Sequence, residues 1–246
     1  MRELLSLQND HVKDLVRLAH EASERKHQQK FIAEGIRTVS TLLKSKMHLV
    51  ELITTHFMLM QAQEIASDEK ITVVSDAVLN KISPSSSPSG ILGVFEIPQH
   101  AKNEPLSSGI VLCGISDPGN MGTLIRTCAA LEKKTVVILE GVDPFNPKVI
   151  QATAGTIGLV NIIQCTWPEF LTRKKDMPLV GLVVQEGKPM HTLAENSLLM
   201  IGSEAHGIAQ DYLAACDELI TLSMPGGTES LNAAIAGSIA MYIGFL

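Results

Sequence analysis

The chain has no C-x-x-C pair. Its four cysteines, Cys113, Cys128, Cys165 and Cys216, stand apart and mostly inside apolar runs. That spacing excludes a zinc ribbon or a disulfide-stapled scaffold and predicts reduced thiols in a cytosolic core. No apolar segment reaches the roughly 20 residues that span a bilayer, and the opening MRELLSLQND lacks the hydrophobic stretch of a signal peptide. The expectation is a soluble cytoplasmic protein without a membrane partner and without a metal. Excess positive charge is missing too. A net charge of −6 argues by itself against a nucleic-acid partner, because phosphate contacts dominate that affinity. Its distribution softens the objection: residues 1–50 carry nine Lys and Arg against six acids, so this part is +3 and the remainder −9. Such asymmetry points to a basic N-terminal face.

A last absence concerns phosphate loops. GISDPGNMGTLIRTCAA (114–130) looks like a strand entering a helix through a glycine-rich turn, yet its glycines fall at 114, 119 and 122. That spacing fits neither G-x-G-x-x-G nor the P-loop, so a nicotinamide-dependent enzyme with a degenerate loop is a weak alternative.

What is present is an ordinary globular composition, 45% hydrophobic and 19% charged, enough for one large or two modest domains. Helical spacing over 9–24, a strand at KFIAEG, a helix at GIRTVSTLLKSK and strands at LVELITT, ITVVS and ILGVFEI make up the first part. The polar stretch QHAKNEPLSS reads as a linker and places a boundary at 104/105. Beyond it β-branched runs (GIVLCGI, TVVILE, VNIIQC, LVGLVVQ, LLMIGS, ELITLSM) alternate with helical patterns at 120–131, 147–154, 168–175 and from about 230. Continuous apolar strands between helices predict a parallel sheet covered on both faces, with ligands beyond the carboxyl ends of its strands. The turns SDPGNMG, EAHGI and PGGTES would gather at that edge.

In order, NMGTLIRT (120–127), LMIGSEAHGI (199–208) and LSMPGGTESLNAAIA (222–236) resemble the three signature motifs of the SpoU (TrmH) class of SPOUT methyltransferases. NPKVIQATAG (146–155) resembles a further family segment, with Gln151 where the family usually has Arg, and Lys133 falls near a usual Gly after the first motif's helix. FIAEGIRTV and PSGILGVFE are similar to the ribosomal-protein-like RNA-binding domain that many of these enzymes carry. The resemblance implies a small N-terminal α/β substrate-binding domain (1–104) and a C-terminal SPOUT domain (105–246) with a trefoil knot. It also implies methyl transfer from S-adenosyl-L-methionine to a ribose 2′-oxygen of RNA, rRNA favoured over tRNA, in a homodimer joined through the C-terminal domain.

The same resemblance nominates Asn120, Arg126, Glu204, Ser230 and Asn232 as catalytic. Gly202, Ser203, Leu222, Met224 and Leu231 map to the adenosine pocket, where close backbone approach demands small residues. Lys13, Arg17, Lys30 and Arg37, with Lys148, are the RNA-binding candidates. Because a guanidinium keeps its proton, Arg126 reads better as a phosphate clamp and alkoxide stabiliser than as a base. Six positions along a helix put Asn120 and Arg126 on different faces. Glu204 would orient either of them or cap the helix after Gly207, and Ser230 reads as the N-cap of the last helix with Asn232 inside its first turn. His206 is set aside as a base because nothing turns it toward the pocket. The small residues Ala233, Ala234, Ala236, Gly237 and Ala240 suggest the dimer contact.

Overall fold

A computed structural model describes residues 1–99 and 105–246 and resolves two compact units: Met1–Gln99 with Phe145–Gly158, and His100–Pro144 with Leu159–Leu246. The expected boundary at 104/105 adjoins residues 100–104, which lie outside the described residues.

The N-terminal unit begins with β1 (Arg2–Leu4) and α1 (Asp10–His20), the latter capped by Asn9, whose side chain accepts from His11 N. The continuous helix expected over 9–24 breaks at Glu21, which is extended (φ −113°, ψ 120°), and α2 (Ala22–Gln28) follows. Arg25 explains the break. Its buried Nη1 donates to the carbonyls of Leu18 and Ala19 at 3.0 and 3.2 Å, satisfying acceptors that the end of α1 leaves free. The chain continues through β2 (Lys30–Glu34), α3 (Ile36–Lys44), β3 (Leu49–Thr55), α4 (Leu59–Ile65), β4 (Ile71–Val74), α5 (Asp76–Ile82) and β5 (Ile91–Glu96). The sheet order is β1-β4-β3-β5-β2; the first three run parallel and β5 is antiparallel to both its neighbours. Phe31 is buried among Phe95 and Phe145, with ring centroids 5.7 and 5.1 Å away.

In the C-terminal unit the strands are β6 (Gly109–Ile115), β7 (Thr135–Gly141), β8 (Asn161–Gln164), β9 (Leu179–Leu182), β10 (Lys188–Pro189), β11 (Leu198–Gly202) and β12 (Glu218–Thr221). Its helices are α6 (Pro118–Ala130), α8 (Trp167–Lys174), α9 (Gln210–Leu213) and α10 (Ala233–Phe245), while α7 (Pro147–Thr153) groups with the N-terminal unit. All seven strands are parallel, in the order β10-β12-β9-β11-β6-β7-β8. Val111, Cys113, Leu198 and Met200 cluster with Phe170 and Ile208 on one face. Ile201, one position out of step, meets α10 on the other, the period-two alternation of a sheet buried on both sides.

The last helix corrects the expectation placed on its small residues. A Cβ on Gly237 would lie 2.6 Å from Leu124 Cδ2 and 2.7 Å from Ile201 Cδ1. Ala234, Gly237 and Ala240 therefore let α10 sit close on its own sheet and α6. The outward face carries Ile235, Ile239, Tyr242 and Ile243, which are 52, 39, 64 and 41% exposed.

Candidate active site

The turn after β6 is set by Asp117, whose Oδ1 accepts from Asn120 N at 2.8 Å with Pro118 at the first helical position. Helix α6 thus begins two residues earlier than expected, and Asn120 belongs to its first turn. From there Asn120 Nδ2 donates to Glu204 Oε1, and Asn232 Nδ2 donates to Asn120 Oδ1 at 3.1 Å. Asn232 Oδ1 in turn accepts from Ala234 N and Ile235 N at 2.9 and 3.3 Å. Both ends of this chain are fixed, since a carboxylate only accepts and a helix N-terminus only donates. Each carboxamide is thereby held in a single orientation, and one residue from each of the three motifs is joined to the next.

Two expectations are corrected here. Asn232, not Ser230, is the N-cap, so its amide has a structural task as well as a place in the site. Glu204 caps no helix: α9 starts after Ala209, without a side-chain cap. Instead Glu204 sits in a turn closed by Ser203 N to Gly207 O (3.1 Å) and Gly207 N to Ser203 O (2.9 Å). A Cβ on Gly202 would lie 2.2 Å from the Gly207 carbonyl carbon, so this turn requires glycine at 202. His206 is exposed and uses its backbone N, bonded to Ser203 Oγ at 3.2 Å.

A cavity of about 370 Å³ opens at the carboxyl ends of β9, β11 and β12. All five residues nominated for the cofactor line it, together with Glu204, Ser230 and Asn232. Asn120 joins through its hydrogen bonds. Arg126 is not brought in: it is exposed, a rise of about 9 Å along α6 from Asn120, and it has no hydrogen bond or ion pair to any described residue. Sequence reasoning missed Leu182–Val184, the last residue of β9 and the two after it, which form one wall. Their signal is the sheet order, because β9 lies between β11 and β12 although it precedes both in the chain. The turn after β6, expected at the pocket, contributes no lining residue.

The lining is mostly backbone and aliphatic, with two carboxylates, Glu204 and Glu229, and no Lys or Arg. Such a surface suits a ligand that combines an apolar ring with a positive centre, and it repels a pyrophosphate. The weak nicotinamide alternative loses its physical basis there. Cys113 and Cys216 lie nearby in the fold as thiols; burial pushes Cys113 far above the ordinary value and Cys216 to about 11, so neither serves as a nucleophile. Among the described residues no group of three His, Cys, Asp or Glu is placed to hold a metal, and no helix is long and apolar enough to cross a membrane.

The basic candidates are unequal. Lys13 pairs with Asp10 at 2.8 Å and Arg17 with Asp14 at 2.5 Å, both exposed, so their charge is partly neutralised on α1 itself. Lys30 borders a second cavity, of about 260 Å³, beside His11, Asp14 and Glu51. Arg37 and Lys148 are exposed at the starts of α3 and α7.

Residues 9–93 match the MRM3-like substrate binding domain. The 23S rRNA (guanosine(2553)-2′-O)-methyltransferase RlmP of Bacillus subtilis (strain 168) is 27% identical over 251 residues, covering 98% of each chain. The AdoMet-bound rRNA methyltransferase from Sinorhizobium meliloti shares the fold, with a TM-score of 0.85 at 24% identity over 98% of this chain and 96% of that one. The SpoU methyltransferase AviRb from Streptomyces viridochromogenes, solved with AdoMet, shares it with a TM-score of 0.82 at 19% identity over 97% of each. Residues 107–242, more than half of the sequence and the part that holds the hydrogen-bonded Glu204, Asn120 and Asn232, match the SpoU rRNA Methylase family, to which this chain belongs.

Proposed function

We propose that the protein transfers a methyl group from S-adenosyl-L-methionine to a ribose 2′-hydroxyl of RNA, rRNA before tRNA. The observation that carries this reading is the Glu204–Asn120–Asn232 chain beside a cavity with two acids and no base. S-adenosyl-L-methionine supplies an electrophilic methyl on a sulfonium. The backbone of Gly202–Ser203 and the side chains of Leu222, Met224 and Leu231 would hold its adenosine, and Glu204 and Glu229 match its positive charge. Asn120 and Asn232, each fixed in one orientation, position the entering ribose without having to reorganise. Ser230 offers the cavity a hydroxyl. Arg126 clamps the neighbouring phosphate and stabilises the developing alkoxide, a role its free guanidinium leaves open.

The N-terminal unit is assigned to RNA, through Arg37 and Lys148 more than through the self-paired Lys13 and Arg17. A homodimer belongs to the same proposal, supported by the exposed Ile235, Ile239, Tyr242 and Ile243 on the helix that Asn232 caps. So does the trefoil knot, supported by a cavity built from the loops after β9, β11 and β12. The proposal places the protein in the cytoplasm beside its RNA.

Incubation with tritiated S-adenosylmethionine and rRNA, then nuclease digestion, should yield a labelled 2′-O-methylnucleoside. Arg126→Ala should abolish transfer and leave S-adenosylhomocysteine affinity within a few-fold. Binding of NAD in place of S-adenosylhomocysteine would overturn the reading.

A further inference from the structure

Phe57 is the exception among the phenylalanines of the N-terminal unit. Phe31, Phe95 and Phe145 are 0, 0 and 5% exposed, whereas Phe57 is 88% exposed and Met60, one turn on, 78%. The segment beneath them is firmly held. Thr55 N and Thr54 Oγ1 both donate to Gly90 O at 3.2 Å. Met58 packs so near Gly90 (φ +84°) that a Cβ there would lie 2.7 Å from its Cγ. Glu34 ties down the neighbouring loop, its two oxygens accepting from Ser83 Oγ at 2.8 Å and Ser89 N at 2.9 Å. Gly35 N donates to Ile91 O at 3.0 Å and leads into Arg37, which is exposed and unpaired among the described residues. The ends of β2 and β3 and the start of β5 therefore form one braced edge from which a phenyl ring projects, beside the exposed His56 imidazole that pairs with Glu3.

We propose that Phe57 is a stacking platform for an unpaired nucleobase of the RNA substrate, with Met60 beside the ring and Arg37 on the same edge toward the backbone phosphates. This rests on the reading of the protein as an RNA-modifying enzyme. A second protein copy fits the surface poorly: one Phe and one Met cover a few hundred Å² at most, against roughly 800 Å² per partner in a stable interface. One ring does match one base. The immobilised turn beneath it means that little order is lost on contact. Glu34, its oxygens engaged by Ser83 and Ser89, and Glu3, paired with His56 at 3.1 Å, are spoken for, while Asp76 after β4 remains an exposed acid. The contact thus depends on the π-face before it depends on charge.

The test uses the full-length protein and fluorescence anisotropy of a labelled, mixed-sequence single-stranded oligoribonucleotide, with the duplex of the same sequence alongside. Stacking on one aromatic residue is worth about 1–3 kcal/mol per base, so Phe57→Ala should weaken single-strand binding about five- to 150-fold and leave the duplex unchanged. Phe57→Trp should retain binding. Phe57→Leu, apolar but without a π-face, should behave like Ala. All three should unfold with the wild type, since the position is exposed. Wild-type affinity in Phe57→Ala, or in Phe57→Leu, would overturn the proposal, the latter by pointing to a generic apolar contact. Absence of methyl transfer with these single-strand effects intact would sink the enzymatic reading and leave the platform standing.

Discussion

The two units meet ligands with the same part of a sheet and shape it in opposite ways. In the C-terminal unit the carboxyl ends of β9, β11 and β12 recede into a cavity whose wall is backbone, aliphatic side chain and two carboxylates. In the N-terminal unit the ends of β2 and β3 carry a braced turn from which Phe57 stands out. A concave edge encloses a small molecule on most of its surface, and a convex one touches a polymer at a single base. The difference teaches where the precision lies: in hydrogen bonds between motifs in one unit, in the rigidity under one ring in the other.

The sharpest way to break the first half of this comparison is Asn120→Asp. The change keeps the size of the side chain but sets a carboxylate against Glu204, so the bond from position 120 to Glu204 is replaced by repulsion, while Asn232, held by Ala234 N and Ile235 N, can still donate to position 120. Methyl transfer should fall roughly a hundredfold or more, measured in single turnover. S-adenosylhomocysteine affinity, measured by calorimetry, should fall by less than tenfold, because Asn120 does not line the cavity. An active Asn120→Asp enzyme would show the chain to be incidental.

A second change separates packing from assembly. Gly237→Leu should cost about 1–3 kcal/mol or more by overlapping Leu124 and Ile201. The loss should be confined to the C-terminal unit, whose unfolding the fluorescence of Trp167, the chain's one tryptophan, reports. Ile239→Asp, on the opposite face of the same helix, should leave that transition almost unmoved and shift the protein from dimer to monomer in light scattering. If Gly237→Leu dissociates a dimer without destabilising the unit, the assignment of the two faces is reversed.

Those faces mark the limit of what the sequence discloses. The parallel strands were legible because fully buried strands are written as unbroken β-branched runs, and the three turns because NMGTLIRT, LMIGSEAHGI and LSMPGGTESLNAAIA resemble the motifs of a known family. The orientation of α10 was not legible: small and large apolar residues alternate on it so closely that no stripe stands out, and its inner face is settled by Leu124 and Ile201, distant in the chain. Leu182–Val184 were missed because sheet order, not chain order, makes them a wall. The break at Glu21 depends on Arg25 reaching back to Leu18 and Ala19, a contact that periodicity cannot express. Phe57 reads as one more apolar residue in HFMLM until its exposure is known.

The smallest expected effect lies beneath the convex edge's own sheet, at Glu51. Burial alone would raise the pKa of this carboxyl. Hydrogen bonds with His11 Nε2 at 2.8 Å and from Thr72 Oγ1 at 2.5 Å outweigh burial and hold it below the ordinary 4.5. A carboxyl depressed in the folded state adds stability that is complete above its unfolded-state pKa and disappears as the pH falls through the folded value. The N-terminal unit should therefore lose stability on acidification from about pH 4.5 downward. Glu51→Gln, neutral throughout, should remove this part of the acid slope and cost about 1 kcal/mol at neutral pH for the weakened hydrogen bonds. Trp167 does not report on this unit, so the measurement is urea unfolding followed by far-UV circular dichroism at neutral and acid pH. Equal acid slopes in wild type and Glu51→Gln would show that Glu51 is not held below its ordinary value. A slope that changes in the Trp167 signal would show instead that the two units do not unfold independently, and the comparison between them would have to be made on the whole chain.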